Sequence, residues 1–164
     1  MKKYIILTAI IIGILFISSC KKDNTEPTAT MSAKVDGVAW TTITRVTKHY
    51  ANTNSFVITG TSVTGEVLII TVKSDQEGTY TSSTSIDSVS AQVGCVWQPD
   101  ATSPTTDNYL SKKGTVNITE INAEDLRISG TFNFELIKTD SLGVETVKTI
   151  TEGEFSNLSY SESN

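Results

Sequence analysis

From Leu126 to Leu136 (LRISGTFNFEL) every even position is apolar or glycine and every odd position is polar. Only an extended strand, whose side chains alternate between faces, turns that spelling into one dry and one wet surface. Such a strand needs partners for its backbone N–H and C=O groups, so the alternation commits the chain to a sheet with one face buried. Further candidate strands are Val38 to Lys48, Ser55 to Ser62, Glu66 to Lys73, Ser88 to Trp97, Gly114 to Ile121 and Val144 to Thr151. Turn-forming pieces separate them, among them Ala51-Asn52-Thr53-Asn54, Thr64-Gly65, Asn122-Ala123-Glu124-Asp125 and 139–143. That punctuation implies antiparallel hairpins. No stretch of about ten residues carries a helical period between caps.

Val67 to Val72 (VLIITV) is apolar on both faces and marks a central strand. The expected fold is therefore all-β, an antiparallel β-sandwich of about 8–10 strands, with a partly open lipocalin-like β-barrel as the alternative. A sandwich fills its interior with side chains, whereas a carrier barrel leaves an apolar pocket. A weak internal echo bears on the strand plan. Ile58-Thr59-Gly60-Thr61 is followed by Glu77-Gly78-Thr79-Tyr80, and Ile128-Ser129-Gly130-Thr131 by Glu152-Gly153-Glu154-Phe155. Duplicated three-stranded meanders would produce it, and so would chance in a chain rich in Thr and Gly.

The N-terminus has a different grammar. Lys2 and Lys3 precede an apolar run from Tyr4 to Ile17, shorter than the roughly 17–25 residues of a membrane-spanning helix. The run ends at Ile17-Ser18-Ser19-Cys20, which resembles the bacterial lipobox. Residues 1–19 are thus expected to be a lipoprotein signal peptide, with Cys20 lipidated as the first mature residue. Small side chains before the cysteine fit a peptidase site, and the thiol can form the thioether to a glyceryl lipid. Several acyl chains at about 0.8 kcal/mol per buried methylene anchor stably where one is marginal. Residues 20–30, polar and carrying Pro27, suit a flexible tether. A single β domain is expected over 31–160 and a disordered tail over 161–164. These features point to a lipid anchor in the outer membrane, with the periplasmic or cell-surface face undecided.

Charge and composition narrow the function. The chain has 13 basic and 18 acidic residues, a formal charge of -5, leaving no basic excess to neutralise phosphates, so nucleic acid is not an expected partner. One histidine and two cysteines are too few for a Cys/His zinc site, and no metal or other cofactor is expected. With Cys20 committed to the anchor, Cys95 has no intramolecular partner, and its parity with Val93 and Trp97 places it on the apolar face as an inert thiol. His49 shares a parity with Ile43, Arg45 and Thr47, opposite Trp40, and is expected to face solvent. No Gly-x-Ser-x-Gly elbow accompanies it, and an enzyme is not expected. Trp40 and Trp97 fall on apolar parities and read as core. The long polar insertion Gln98 to Asn108 is the candidate ligand loop, with Asp100, Asp107 and the adjacent Tyr109 as its candidate contacts.

Ala33 to Trp40 (AKVDGVAW), Gly78-Thr79-Tyr80, Ile128 to Phe134 (ISGTFNF) and Ile150 to Phe155 (ITEGEF) together resemble the hallmarks of a family of small Bacteroidota lipoproteins of unknown function. The resemblance spans nearly the whole mature chain. It implies lineage, anchoring and β architecture, and no activity. In that setting Asp87-Ser88-Val89 and Asp140-Ser141-Leu142 resemble the Asp-Ser/Thr-apolar tripeptides that Bacteroidota O-glycosylate, making Ser88 and Ser141 candidate acceptors. The expectation is a non-catalytic binding module at the envelope, capturing a glycan. A structural or envelope-assembly lipoprotein with a protein partner, or a lipid carrier, is the alternative.

Overall fold

A computed structural model describes residues 28–82, 92–102 and 107–164. The described residues form strands β1 (Thr30–Val35), β2 (Val38–Tyr50), β3 (Ser55–Ser62), β4 (Val67–Val72), β5 (Gly78–Ser82), β6 (Val93–Gln98), β7 (Tyr109–Asn122), β8 (Arg127–Thr139) and β9 (Glu145–Ser163), with no helix among them. The all-β, antiparallel reading of the sequence is what the chain adopts. Its strands make one nine-stranded sheet in the order β5-β7-β6-β4-β3-β2-β1-β9-β8, and a further β7–β8 pairing links the last strand back toward the first. The ladders thus run in a ring instead of separating into two stacked meanders. The internal echo has no structural counterpart: Gly78 opens β5, whereas Gly153 sits inside β9.

The inward face carries the alternating apolar residues. Phe56, Ile58, Leu68, Ile70, Val72, Val116, Ile118, Ile128, Leu136, Ile150, Phe155 and Leu158 are all fully buried. β4 is central as expected, paired on one edge with β3 and on the other with β6. Trp40 and Trp97 are core residues that meet edge to face at 5.6 Å. Cys95 is buried, and burial pushes its thiol well above the ordinary value, as suits an inert side chain.

Four expectations are corrected. β1 had no place among the expected strands, yet it bridges β2 and β9. Its six residues do alternate, with Met31, Ala33 and Val35 inward, but they directly follow the polar stretch read as a tether, and the pattern was passed over. Residues 161–163, expected in a loose tail, continue β9: Tyr160 to Ser163 pair in parallel with Thr47 to Tyr50. Tyr109 opens β7 and is partly buried, five residues before the strand start expected at Gly114. His49 faces inward, because the β2–β3 register shifts between Thr42 and Thr44 and reverses the parity beyond it. Its ring stacks on Phe56 at 4.6 Å, Nδ1 lies 2.8 Å from Glu162, and Nε2 is buried with no partner among the described residues.

Candidate functional site at the mouth of the ring

One end of the sheet gathers the β1–β2 turn, the β3–β4 turn, the segment after β6 and the starts of β7 and β9. The β1–β2 turn is tight because Asp36 and Gly37 both adopt positive φ (50° and 80°), the geometry that matches the twist of a two-residue hairpin. Between these pieces lies a cavity of about 580 Å³, lined by Val35, Asp36, Trp40, Trp97, Tyr109 and Lys148 among others. Its size falls in the usual range for small-molecule sites.

Register explains why aromatic and charged groups meet here. Trp97 and Tyr109 are direct cross-strand partners, and Lys148 is opposite the buried Leu136, so all three point inward. Lys148 Nζ lies 5.2 Å from the Tyr109 ring centre and 5.9 Å from that of Trp97, and donates to Asp36 Oδ2 at 2.8 Å. Lys138, on the same parity of β8, reaches within 5.5 Å of the Tyr109 ring and 3.5 Å of Asp107 Oδ1. Glu66 is engaged by the hydroxyls of Ser62 and Thr64. Trp40 Nε1 is buried without a partner among the described residues, an open donor in a residue of the cavity wall.

Asp36 ties the mouth together. Its Oδ1 accepts from the Thr149 backbone N–H at 2.7 Å and the Thr149 hydroxyl at 3.2 Å. Partial burial works to raise its pKa, and the hydrogen bonds from Lys148 and Thr149, with the Lys148 charge, outweigh it and leave the carboxyl below its ordinary value. A depressed carboxylate stabilises the fold above the unfolded-state pKa, and that contribution is lost as pH falls through the folded value. Asp36→Asn should therefore be less stable than the parent at neutral pH, with the difference closing below about pH 4. Urea unfolding of both proteins at several pH values measures this, and a pH-independent difference would contradict it.

Of the residues singled out in the sequence, Tyr109 lines the mouth, and Asp107 stands beside it through its contact with Lys138. Asp100 does not take part: its Oδ1 accepts from the backbone N–H and hydroxyl of Thr102, both at 2.8 Å, and these bonds lower its pKa. It braces its own turn, which is held to the β3–β4 turn by the bond from Ala101 N to Gly65 O. Ser141 is exposed in the β8–β9 turn, where Asp140 Oδ1 accepts from the N–H groups of Leu142 and Val144. Cys20 and Ser88 lie outside the described residues. His49 belongs to the opposite end of β2. Lys138 and Lys148 escaped the sequence reading, although a signal existed: each continues the inward parity of its strand, where the preceding or following residues are Phe134, Leu136 and Ile150.

Neither the curated proteins nor the solved structures contain a match to this chain. Residues 27–159, which take in every strand from β1 to β8 and most of β9, match the model of DUF6252, a domain of unknown function. The chain belongs to the DUF6252 family.

Proposed function

We propose that this chain is a lipid-anchored outer-membrane protein that captures a saccharide, without catalysis, in the cavity at the mouth of the ring. The carrying observation is a cavity of ligand size that sets the partly buried Tyr109 ring beside hydrogen-bonding groups, over a floor closed by the buried Trp40 and Trp97. The Tyr109 ring offers a flat apolar face for the C–H surface of a sugar, and the surrounding polar atoms serve its hydroxyls. The direction of β1 supports the reading. That strand runs toward the cavity, so Thr30 lies about 17 Å behind Val35 at the strand rise. The first described residues therefore lie at the end away from the cavity, so an anchor upstream of them would leave the mouth unobstructed. The interior behind the mouth is filled by buried side chains, which favours a saccharide over an acyl chain.

Calorimetric titration of the full chain in detergent against a panel of oligosaccharides tests the proposal. Binding is expected, and Tyr109→Ala should weaken it about tenfold, the loss of one stacking contact. Absence of heat with every saccharide would overturn the reading. Undiminished affinity in Tyr109→Ala would move the site elsewhere.

A further inference from the structure

We infer that the saccharide taken by the mouth is an acidic one, with its anionic group held at the rim by Lys138, which lies over the Tyr109 ring beside the residues that line the cavity. This rests on the saccharide reading above and adds the charge of the ligand. Two ammonium groups, Lys138 and Lys148, converge on the ring of Tyr109, at 5.5 and 5.2 Å from its centre. Their situations differ. Lys148 is hydrogen-bonded to Asp36 at 2.8 Å, and the other oxygen of that carboxylate is taken by Thr149. Lys138 lies 3.5 Å from Asp107, beyond the range of a good N–H···O bond, and it makes no hydrogen bond to the described residues.

An inward-facing lysine with its side chain only 29% exposed is an unusual choice at the end of a strand whose inward positions include Ile128, Phe132, Phe134 and Leu136. Removing an ammonium from water without full hydrogen bonding is costly. A carboxylate or sulfate on a sugar stacked over Tyr109 would supply what Lys138 lacks. It would take the place of the long contact to Asp107. The chain as a whole is acidic, at -5, so the attraction is local to this pair and does not come from a general field. The competing account is a lysine whose stem covers the Tyr109 ring while its head seeks solvent, with no ligand involved.

A matched set of probes separates these accounts: trisaccharides of galacturonate, of 6-sulfated galactose and of neutral galactose, titrated into the full chain. At least one acidic trisaccharide is expected to bind about tenfold or more tightly than the neutral one, and to lose affinity between about 50 and 500 mM salt. Whichever acidic probe binds identifies the anion. Lys138→Gln should abolish that preference, while Asp107→Asn, which removes the competing carboxylate at an exposed position, should tighten acidic binding several-fold. Thermal melting of each variant reports whether it is folded, and Asp107→Asn keeps the test open if Lys138→Gln is not. Equal binding of neutral and acidic probes, indifferent to both substitutions, would overturn the acidic assignment and leave saccharide capture standing. No binding of any probe would overturn both.

Discussion

Phe155→Ala is expected to cost about 3–5 kcal/mol of unfolding free energy, the range for deleting a fully buried aromatic ring. Phe155 is 0% exposed and stacks on Phe132 with ring centres 6.2 Å apart. Its ring also fills the space over Gly130, its cross-strand partner, where an added Cβ would lie 2.6 Å from Phe155 Cζ. Glycine at 130 and phenylalanine at 155 are therefore two halves of one packing solution. Alanine at 155 leaves a void that β8 and β9 cannot close, because both are held by ladders on their other edges. Urea unfolding measures the loss directly, and melting should fall by about 10–20 °C. A change below about 1 kcal/mol would mean that the ring is not packed between β8 and β9.

Ending the chain at Ser159 should cost about 3–5 kcal/mol, an effect that no loose tail could produce. The cut removes Tyr160, which is 7% exposed and packs edge to face on Phe56 at 5.1 Å. It also removes the backbone bond from Tyr160 N to Leu126 O, the parallel ladder on β2 and the contact of Glu162 with His49. A chain ending at Tyr160 keeps the aromatic ring and should lose only about 1–2 kcal/mol, since the remaining bonds are few and near the surface. Comparing the two truncations by urea unfolding separates the ring from the ladder. Equal stability of both with the full chain would show that the end of β9 carries no load in the fold.

The candidate site was half legible in the sequence. Asp107 stood out within the long polar insertion and Tyr109 beside it; Tyr109 lines the mouth, and Asp107 contacts Lys138 next to it. Asp100 stood out for the same reason and braces a turn, because a short side chain next to free backbone N–H groups satisfies those first. Lys138 and Lys148 were passed over because a charged residue at a strand end ordinarily marks the approach to solvent. Only the pairing of β8 with β7 on one edge and with β9 on the other shows that their parity carries them onto the ring of Tyr109.

Local patterning by itself determined the strand character of the chain, most strand positions, and the burial of Trp40, Trp97 and Cys95, because side-chain alternation and turn chemistry act between residues a few positions apart. His49 marks where that reach ends: a register shift between Thr42 and Thr44 reverses the faces of β2, and no local composition announced it. The closure of the ladders into a ring, the strand character of residues 152–163 and the meeting of two lysines with two aromatic rings were decided by tertiary structure alone. Each depends on which strands pair and in what register, a choice made by contacts between residues far apart in the chain.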